Sequence, residues 1–267
     1  DMISAGVPHI KLETIYRQSE NSYIPMLAKD IKNVNVTDDY LDKKDDYNFI
    51  SCDSKEIKNI LVQIVEKMQD KKIDLSNLQV LAPMYKGENG IRKAIDNLNI
   101  VLQELINPKD KKKDEIKVGP ITYRVGDKIL NLVNDIDNNI YNGDIGYIKS
   151  IDINSKKEPI VVEYDNNEVG YKRENFNQIT HAYAISIHKS QGSEFMHVIM
   201  PITKGYSRML YNKLLYTGVS RAKKSLVLLG DKDAFIKCVN NSYSLVRKTN
   251  LKLKIMNNLR INTQNNK

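Results

Sequence analysis

The run Gln79-Val80-Leu81-Ala82-Pro83 is a short apolar stretch closed by a proline. Its length suits a buried strand, and the proline ends it because it has no N–H for a ladder. A glycine-bounded loop, Gly87 to Gly90, follows, and Ile91, Ile95, Leu98, Leu102 and Leu105 then recur on one helical face. A buried strand feeding an amphipathic helix predicts an α/β layer with a parallel sheet.

Working outward towards the amino end, Ile57, Ile60, Leu61, Ile64, Val65 and Met68 form another helical stripe, with Ser54 as its expected cap and a strand at Asn48 to Cys52 before it. Ser22 is the expected cap of a helix whose apolar face is Ile24, Leu27, Ala28 and Ile31. The segment from Asp38 to Asp46 reads as acidic and irregular, and His9 to Leu12 as a short extended piece. Asp1-Met2 runs at once into apolar sequence that reads like the middle of a domain, so a fragment is expected.

Beyond Pro108 the pattern changes. Lys109 to Lys113 is a charged loop, and no helical period appears from Tyr123 to Phe176. Short β-rich pieces (Lys128 to Val133, Ile145 to Ile153, Ile160 to Tyr164, Val169 to Lys172) are separated by turns such as Asn142-Gly143-Asp144. They predict a small antiparallel barrel inserted into the α/β domain. Alternation resumes with Tyr183 to Ser190, a strand at Val198 to Met200, a helix at Ser207 to Ser220, a strand at Ser225 to Leu229 and a short helix capped by Asp231. The tail carries Arg247, Lys248, Lys252, Lys254, Arg260 and Lys267 and no acidic residue after Asp233. Such a run is expected to be solvated or disordered, and only sometimes a nucleic-acid arm.

Forty-one Lys and Arg against 33 Asp and Glu leave a net charge of +8, which favours a polyanionic partner without identifying one. Abundant lysine in an AT-rich genome gives the same balance. No apolar run is long enough to span a bilayer, so no membrane partner is expected. Cys52 and Cys238 fit no metal-ligand spacing and read as unlinked thiols of a cytoplasmic protein.

The sequence holds no GxxxxGK[ST] phosphate loop, and Gly87-Glu88-Asn89-Gly90 lacks the lysine and hydroxyl that would make one. HExxH, CxxC and Gly-x-Ser-x-Gly are also missing, so the chain does not read as a complete enzyme. Two polar stretches remain. Ser186-Ile187-His188-Lys189-Ser190-Gln191-Gly192-Ser193-Glu194-Phe195 gathers hydroxyls, an imidazole, an amide, a glycine and a carboxylate between apolar runs. Strand-to-loop edges of α/β sheets bind ligands, although a polar surface loop has the same composition. In Leu214 to Lys224, Arg221 follows an apolar helix face and precedes a buried strand. An arginine there suits a phosphate or, equally, a salt bridge.

At these residues the chain resembles the RecD-like DNA helicases of superfamily 1. Ile15-Tyr16-Arg17-Gln18 resembles helicase motif IV, and Leu81 to Gly87 with Gly90-Ile91 the next block. Arg124-Val125-Gly126-Asp127-Lys128 and Asn142 to Gly146 resemble the family's inserted Src-homology-3-like barrel. Ser186 to Phe195 is similar to motif V, and Leu215 to Lys223 to motif VI. The resemblance implies an α/β, RecA-like P-loop-type second motor domain without a Walker A loop. It would occupy 1–118 and 178–242, with the antiparallel barrel at 119–177 and a basic tail at 243–267.

The same resemblance implies ATP and Mg²⁺, held mainly by an N-terminal RecA-like domain that carries the phosphate loop. Arg17 and Arg221 resemble the two arginines that reach the γ-phosphate, as catalytic residues. Gln18, Gln191, Gly192 and Glu194 resemble positions beside the nucleotide, Glu194 being suited to accept from a ribose hydroxyl. Pro83, Met84, Tyr85, Lys86, Ser186, His188 and Lys189 would form the single-stranded DNA side, with movement 5′ to 3′. Subunits of a recombination or nuclease complex are further implied partners. The competing readings are a non-enzymatic nucleic-acid-binding module and a partner-docking domain.

Overall fold

The computed structural model describes residues 2–10, 22–83, 91–165, 167–206, 211–241 and 249–265. In chain order its helices and strands are α1 (Tyr23–Asn33), β1 (Tyr47–Ser51), α2 (Ile57–Asp70), β2 (Leu78–Ala82), α3 (Ile91–Ile106), β3 (Glu115–Val118), β4 (Ile121–Arg124), β5 (Lys128–Asn131), β6 (Ile145–Ile151), β7 (Ile160–Tyr164), β8 (Asn167–Tyr171), β9 (Ile179–His181), β10 (Ala184–Ser186), β11 (Phe195–Ile202), α4 (Asn212–Val219), β12 (Ala222–Gly230), α5 (Lys232–Asn240) and α6 (Leu251–Asn265). The described residues within 19–242 form one compact unit, and those within 1–18 and 243–267 form another.

In the larger unit, five parallel strands line up in the order β1-β12-β11-β2-β10. Strand periodicity sends alternate side chains to opposite faces. Val198, Met200, Leu226 and Leu228 therefore meet Leu27, Ile31, Leu214, Leu215 and Phe235 of α1, α4 and α5. Val80, Ile199 and Leu229 meet Leu61, Val65, Leu98 and Leu102 of α2 and α3 on the other face. Helices on both faces of a parallel sheet are what a doubly covered, aliphatic strand set requires.

The β-rich region folds as a β3–β4 hairpin and an antiparallel sheet ordered β8-β7-β6-β5-β9 around Ile129, Ile148, Ile160, Val162, Tyr171 and Phe176. β3 precedes residue 119, and β9, beyond residue 177, pairs with β5. β5 lies at the seam of the two layers. Ile129 enters the barrel core, whereas Leu130 joins the core shared with the parallel sheet.

Several local expectations are corrected. Ser22 stands at the start of α1, but its hydroxyl donates to Asp46. The Asp46 carboxylate instead accepts the Tyr23 and Ile24 N–H groups, at 3.3 and 3.4 Å. Ser54 is not the cap of α2; Glu56 precedes that helix, and its Oε2 accepts the Asp53 N–H at 2.9 Å. α4 begins at Asn212 rather than 207, because Tyr211 is extended and the buried Asn212 amide donates to Ile31 O and to Val239 O. The segment at 7–10 forms no strand, and residues 11–21, 84–90 and 207–210 lie outside the described residues.

In the smaller unit a short 3-10 turn, Ile3–Ala5, accompanies α6. The tail, expected to be solvated or disordered, is helical over 251–265 and largely exposed over 249–258, and the helix is free of Gly and Pro. No helix among the described residues is long and apolar enough to cross a membrane.

Candidate functional site

β2 and β10 run side by side with Ala82 opposite Ser186, so buried Pro83 and the Ser186–Lys189 segment leave the sheet at the same carboxyl edge. The chain then tightens into a 3-10 turn, Ile187–Ser190, pinned by the fully buried Ile187. Ser186 is only 4% exposed, and its Oγ accepts the Lys189 N–H at 3.3 Å. Ser190 Oγ donates to Ile187 O at 2.7 Å. Both hydroxyls therefore close the turn, and Ser186 shapes the presentation of its neighbours. His188 and Lys189 are half-buried at the surface of that turn. The Nδ1 of His188 is enclosed and has no hydrogen-bond partner among the described residues. Burial lowers the Lys189 pKa, and its Nζ donates to Asn142 Oδ1 of the barrel at 3.1 Å.

The second group of candidates stands at the amino edge of the same sheet. Phe195 pairs with Ala222, and its N–H donates to Arg221 O at 2.9 Å, so Glu194 and Arg221 stand side by side ahead of β11 and β12. The Arg221 fork ties its own loop to the end of the 187–194 segment. Nη1 donates to Ser193 O at 2.9 Å, Nη2 to Ser220 Oγ at 3.2 Å and Nε to Thr217 O at 3.3 Å. Glu194 Oε2 lies 2.6 Å from Lys223 Nζ. Gln191 is exposed, and Gly192 has φ +93°, a left-handed backbone that other residues rarely adopt. At the usual rise per strand residue the two edges are roughly 20 Å apart, and residues 187–194 cross between them. Arg17, Gln18, Met84, Tyr85 and Lys86 lie outside the described residues.

A cleft of about 570 Å³ opens between the barrel and the amino edge, lined in part by Asn77, Lys128, Tyr147, Glu194, Phe195 and Lys223. Lys128, placed by the sequence at the start of a strand and in the Arg124-to-Lys128 barrel motif, was not among the expected site residues. It is 4% exposed, and its Nζ donates to Ser76 O and Leu78 O, both at 3.1 Å, beneath the Phe195 ring. Burial pushes its pKa down from 10.5 to about 8. Between those two values the unfolded chain binds the proton and the folded chain does not, so stability rises with pH across the window. Relative to Lys128→Met, the wild type should gain roughly 2 kcal/mol from about pH 8 to about pH 10, with a flat difference below. Chemical denaturation of both proteins across that range checks this; a difference that stays flat throughout contradicts it.

Two further features hold the turn's surroundings in place. The Asn99 amide donates to Ala184 O at 3.0 Å and accepts the Ala184 N–H at 2.8 Å, doing for edge strand β10 what another strand would. Asp127 is fully buried. Its carboxylate accepts from Gln103 Nε2 at 2.6 Å, Asn107 Nδ2 at 2.7 Å, the Arg124 N–H at 2.7 Å, Tyr183 OH at 2.9 Å and His181 Nε2 at 3.1 Å. This hub joins α3, the barrel and the segment entering β10. The sequence signal was a lone carboxylate between two apolar strands, visible in the Arg124-to-Lys128 motif but not assigned a role. Among the described residues, no group of three or more His, Cys, Asp or Glu is placed to hold a metal ion.

The model of the ATP-dependent RecD-like DNA helicase SH3 domain matches residues 98–164, and that of the UvrD-like helicase C-terminal domain matches 181–229. The chain is similar to RecD-like DNA helicases. It is 30% identical over 158 residues to the ATP-dependent RecD2 DNA helicase of Deinococcus radiodurans, covering 59% of this chain and 21% of that protein. It is 28% identical over 197 residues to the RecBCD enzyme subunit RecD of Buchnera aphidicola, covering 69% and 31%. The chain thus spans between a fifth and a third of the length of these RecD-like relatives. Its fold is similar to that of Bacteroides Pif1 bound to single-stranded DNA, with a TM-score of 0.50 at 19% identity over 95% of this chain and 57% of that one. The RecD-like barrel model begins within α3, whose Gln103, with Asn107 just beyond the helix, is bound to the barrel's Asp127.

Proposed function

We propose that the chain is the second motor half of a 5′ to 3′ DNA helicase. It binds single-stranded DNA on the Pro83 and Ser186–Lys189 side and supplies Arg221 to ATP held by an N-terminal P-loop domain. The observation that carries this reading is the crossing of residues 187–194 between the two edges of one sheet, with Lys189 and His188 at one end and Glu194 and Arg221 at the other. A segment built in that way can convert closure on a nucleotide into a shifted grip on a strand, the kind of two-state element that coupling requires. Its similarity to a RecD2 DNA helicase and to a RecBCD subunit agrees with this reading.

At the DNA end, an imidazole offers a stacking face to a base without reading its identity, and the Lys189 ammonium neutralises a phosphate. At the nucleotide end, the planar guanidinium of Arg221 suits the equatorial oxygens of a transferring phosphoryl group, and Glu194 accepts from a ribose hydroxyl. Arg17 is proposed as the second arginine, with Gln18 and Gln191 beside the nucleotide and Met84, Tyr85 and Lys86 completing the groove. ATP closes the P-loop domain onto this one, hydrolysis releases it, and Mg²⁺ belongs to the P-loop side. Recombination or nuclease subunits are proposed as partners by the same family relation.

The test is equilibrium binding of a fluorescent oligothymidylate. The wild-type chain should bind it, and His188→Ala should weaken binding by about 1–3 kcal/mol, the usual worth of one stacked base. Unchanged affinity in His188→Ala would remove the imidazole from the DNA path.

A further inference from the structure

The turn that carries Lys189 does not stand alone: the barrel reaches it. Asn142 lies 47 residues away in sequence, and its Oδ1 accepts from Lys189 Nζ at 3.1 Å. The adjacent Gly143, at φ +107°, brings the loop's backbone so close that a Cβ there would stand 3.7 Å from Lys189 O. The loop itself is braced from within. Buried Asn131 donates to Val133 O and Tyr141 O at 2.6 and 3.0 Å, Gly143 N donates to Asn131 O at 2.9 Å, and Asn142 N donates to Asn134 Oδ1 at 2.9 Å. The Asn142 side chain is exposed, so it contributes nothing to a core. Lys189, for its part, makes no ion pair with a carboxylate among the described residues. A neutral amide holds the ammonium in place while leaving its full charge for an anion, which a carboxylate at that position would cancel.

We propose that Asn142 is a positioning residue, through which the barrel aims Lys189 at a phosphate of single-stranded DNA. The inference rests on the DNA-side reading of the turn given above. It adds that the barrel governs the grip through one amide, without touching the strand at that point. Any displacement of the 142–143 loop relative to the turn then withdraws the ammonium, so barrel position and strand affinity move together.

The experiment is the salt dependence of oligothymidylate binding by the wild-type chain, Lys189→Met, Asn142→Ala and the double variant, with Asn142→Asp as a second probe. Loss of one phosphate contact to a single strand lowers the slope of log K against log salt by about 0.7. Lys189→Met should show that loss, Asn142→Ala a large part of it, and the double variant no more than Lys189→Met. Asn142→Asp should also lower the slope, since it holds the lysine but pairs its charge. If Lys189→Met lowers the slope while Asn142→Ala and Asn142→Asp leave it at the wild-type value, the positioning role is overturned and the DNA reading stands. If Lys189→Met itself leaves the slope unchanged, the DNA reading of Lys189 falls and the positioning role falls with it. A core disturbance would weaken binding without moving the slope, and so would also count against the proposal.

Discussion

Replacing Arg221 with alanine is expected to lower ATP turnover by about 10³–10⁵-fold in the assembled motor, the range lost with a comparable arginine finger. Single-stranded DNA binding should change little, because Arg221 stands at the opposite edge of the sheet from His188 and Lys189. The residue also braces its own loop through Ser220 Oγ and Thr217 O and ties it to the 187–194 segment through Ser193 O. Arg221→Lys therefore serves as the second variant: it keeps the charge but loses the planar fork, and should recover little of the rate. Steady-state ATPase and oligonucleotide binding measured on the same preparations decide the matter. Turnover within a few-fold of wild type in Arg221→Ala would remove it from the nucleotide site; lost DNA binding alongside lost turnover would make it a structural residue.

The second large effect lies in stability. Asp127→Asn should destabilise the chain by about 3–5 kcal/mol, because it removes a buried acceptor from a set of donors and adds an amide donor in their midst. For a chain of this size that corresponds to a fall in melting temperature on the order of 10 °C. Gln103, Asn107, Tyr183 and His181 all direct donors at the one carboxylate, and removing any single one of them should cost less. Thermal unfolding followed by circular dichroism reads the difference. A shift of only about a degree would mean that the hub is not what joins α3 to the barrel.

What could be read from the chain beforehand divides along physical lines. Stripes such as Leu61 and Val65, or Val198 and Met200, obey local periods, so the helices and most strands of the α/β layer were legible. The barrel was legible for the complementary reason, since helical period vanishes where turn residues multiply. Strand order was not, because β1, β12, β11, β2 and β10 are neighbours only through long-range pairing. Caps failed where a distant group supplied the acceptor, as Asp46 does for α1. Strand alternation does put Lys128 on the same face as Leu130, but only the packing of the barrel on the motor sheet shows that this face is buried. Of the candidate site, Glu194 and Arg221 were brought together, as were Pro83 and the Ser186–Lys189 turn. The family resemblance placed Ser186 on the single-stranded DNA side; in the fold it is buried and its Oγ accepts the Lys189 N–H.

The most direct test of the central claim is steady-state ATPase of this chain, alone and supplied with a P-loop RecA-like domain of a RecD-like helicase, with and without single-stranded DNA. The chain alone should show no turnover, and DNA-stimulated turnover should appear once the P-loop domain is present. Reproducible turnover by the purified chain alone would contradict it, because the phosphate site would then have to lie within these residues.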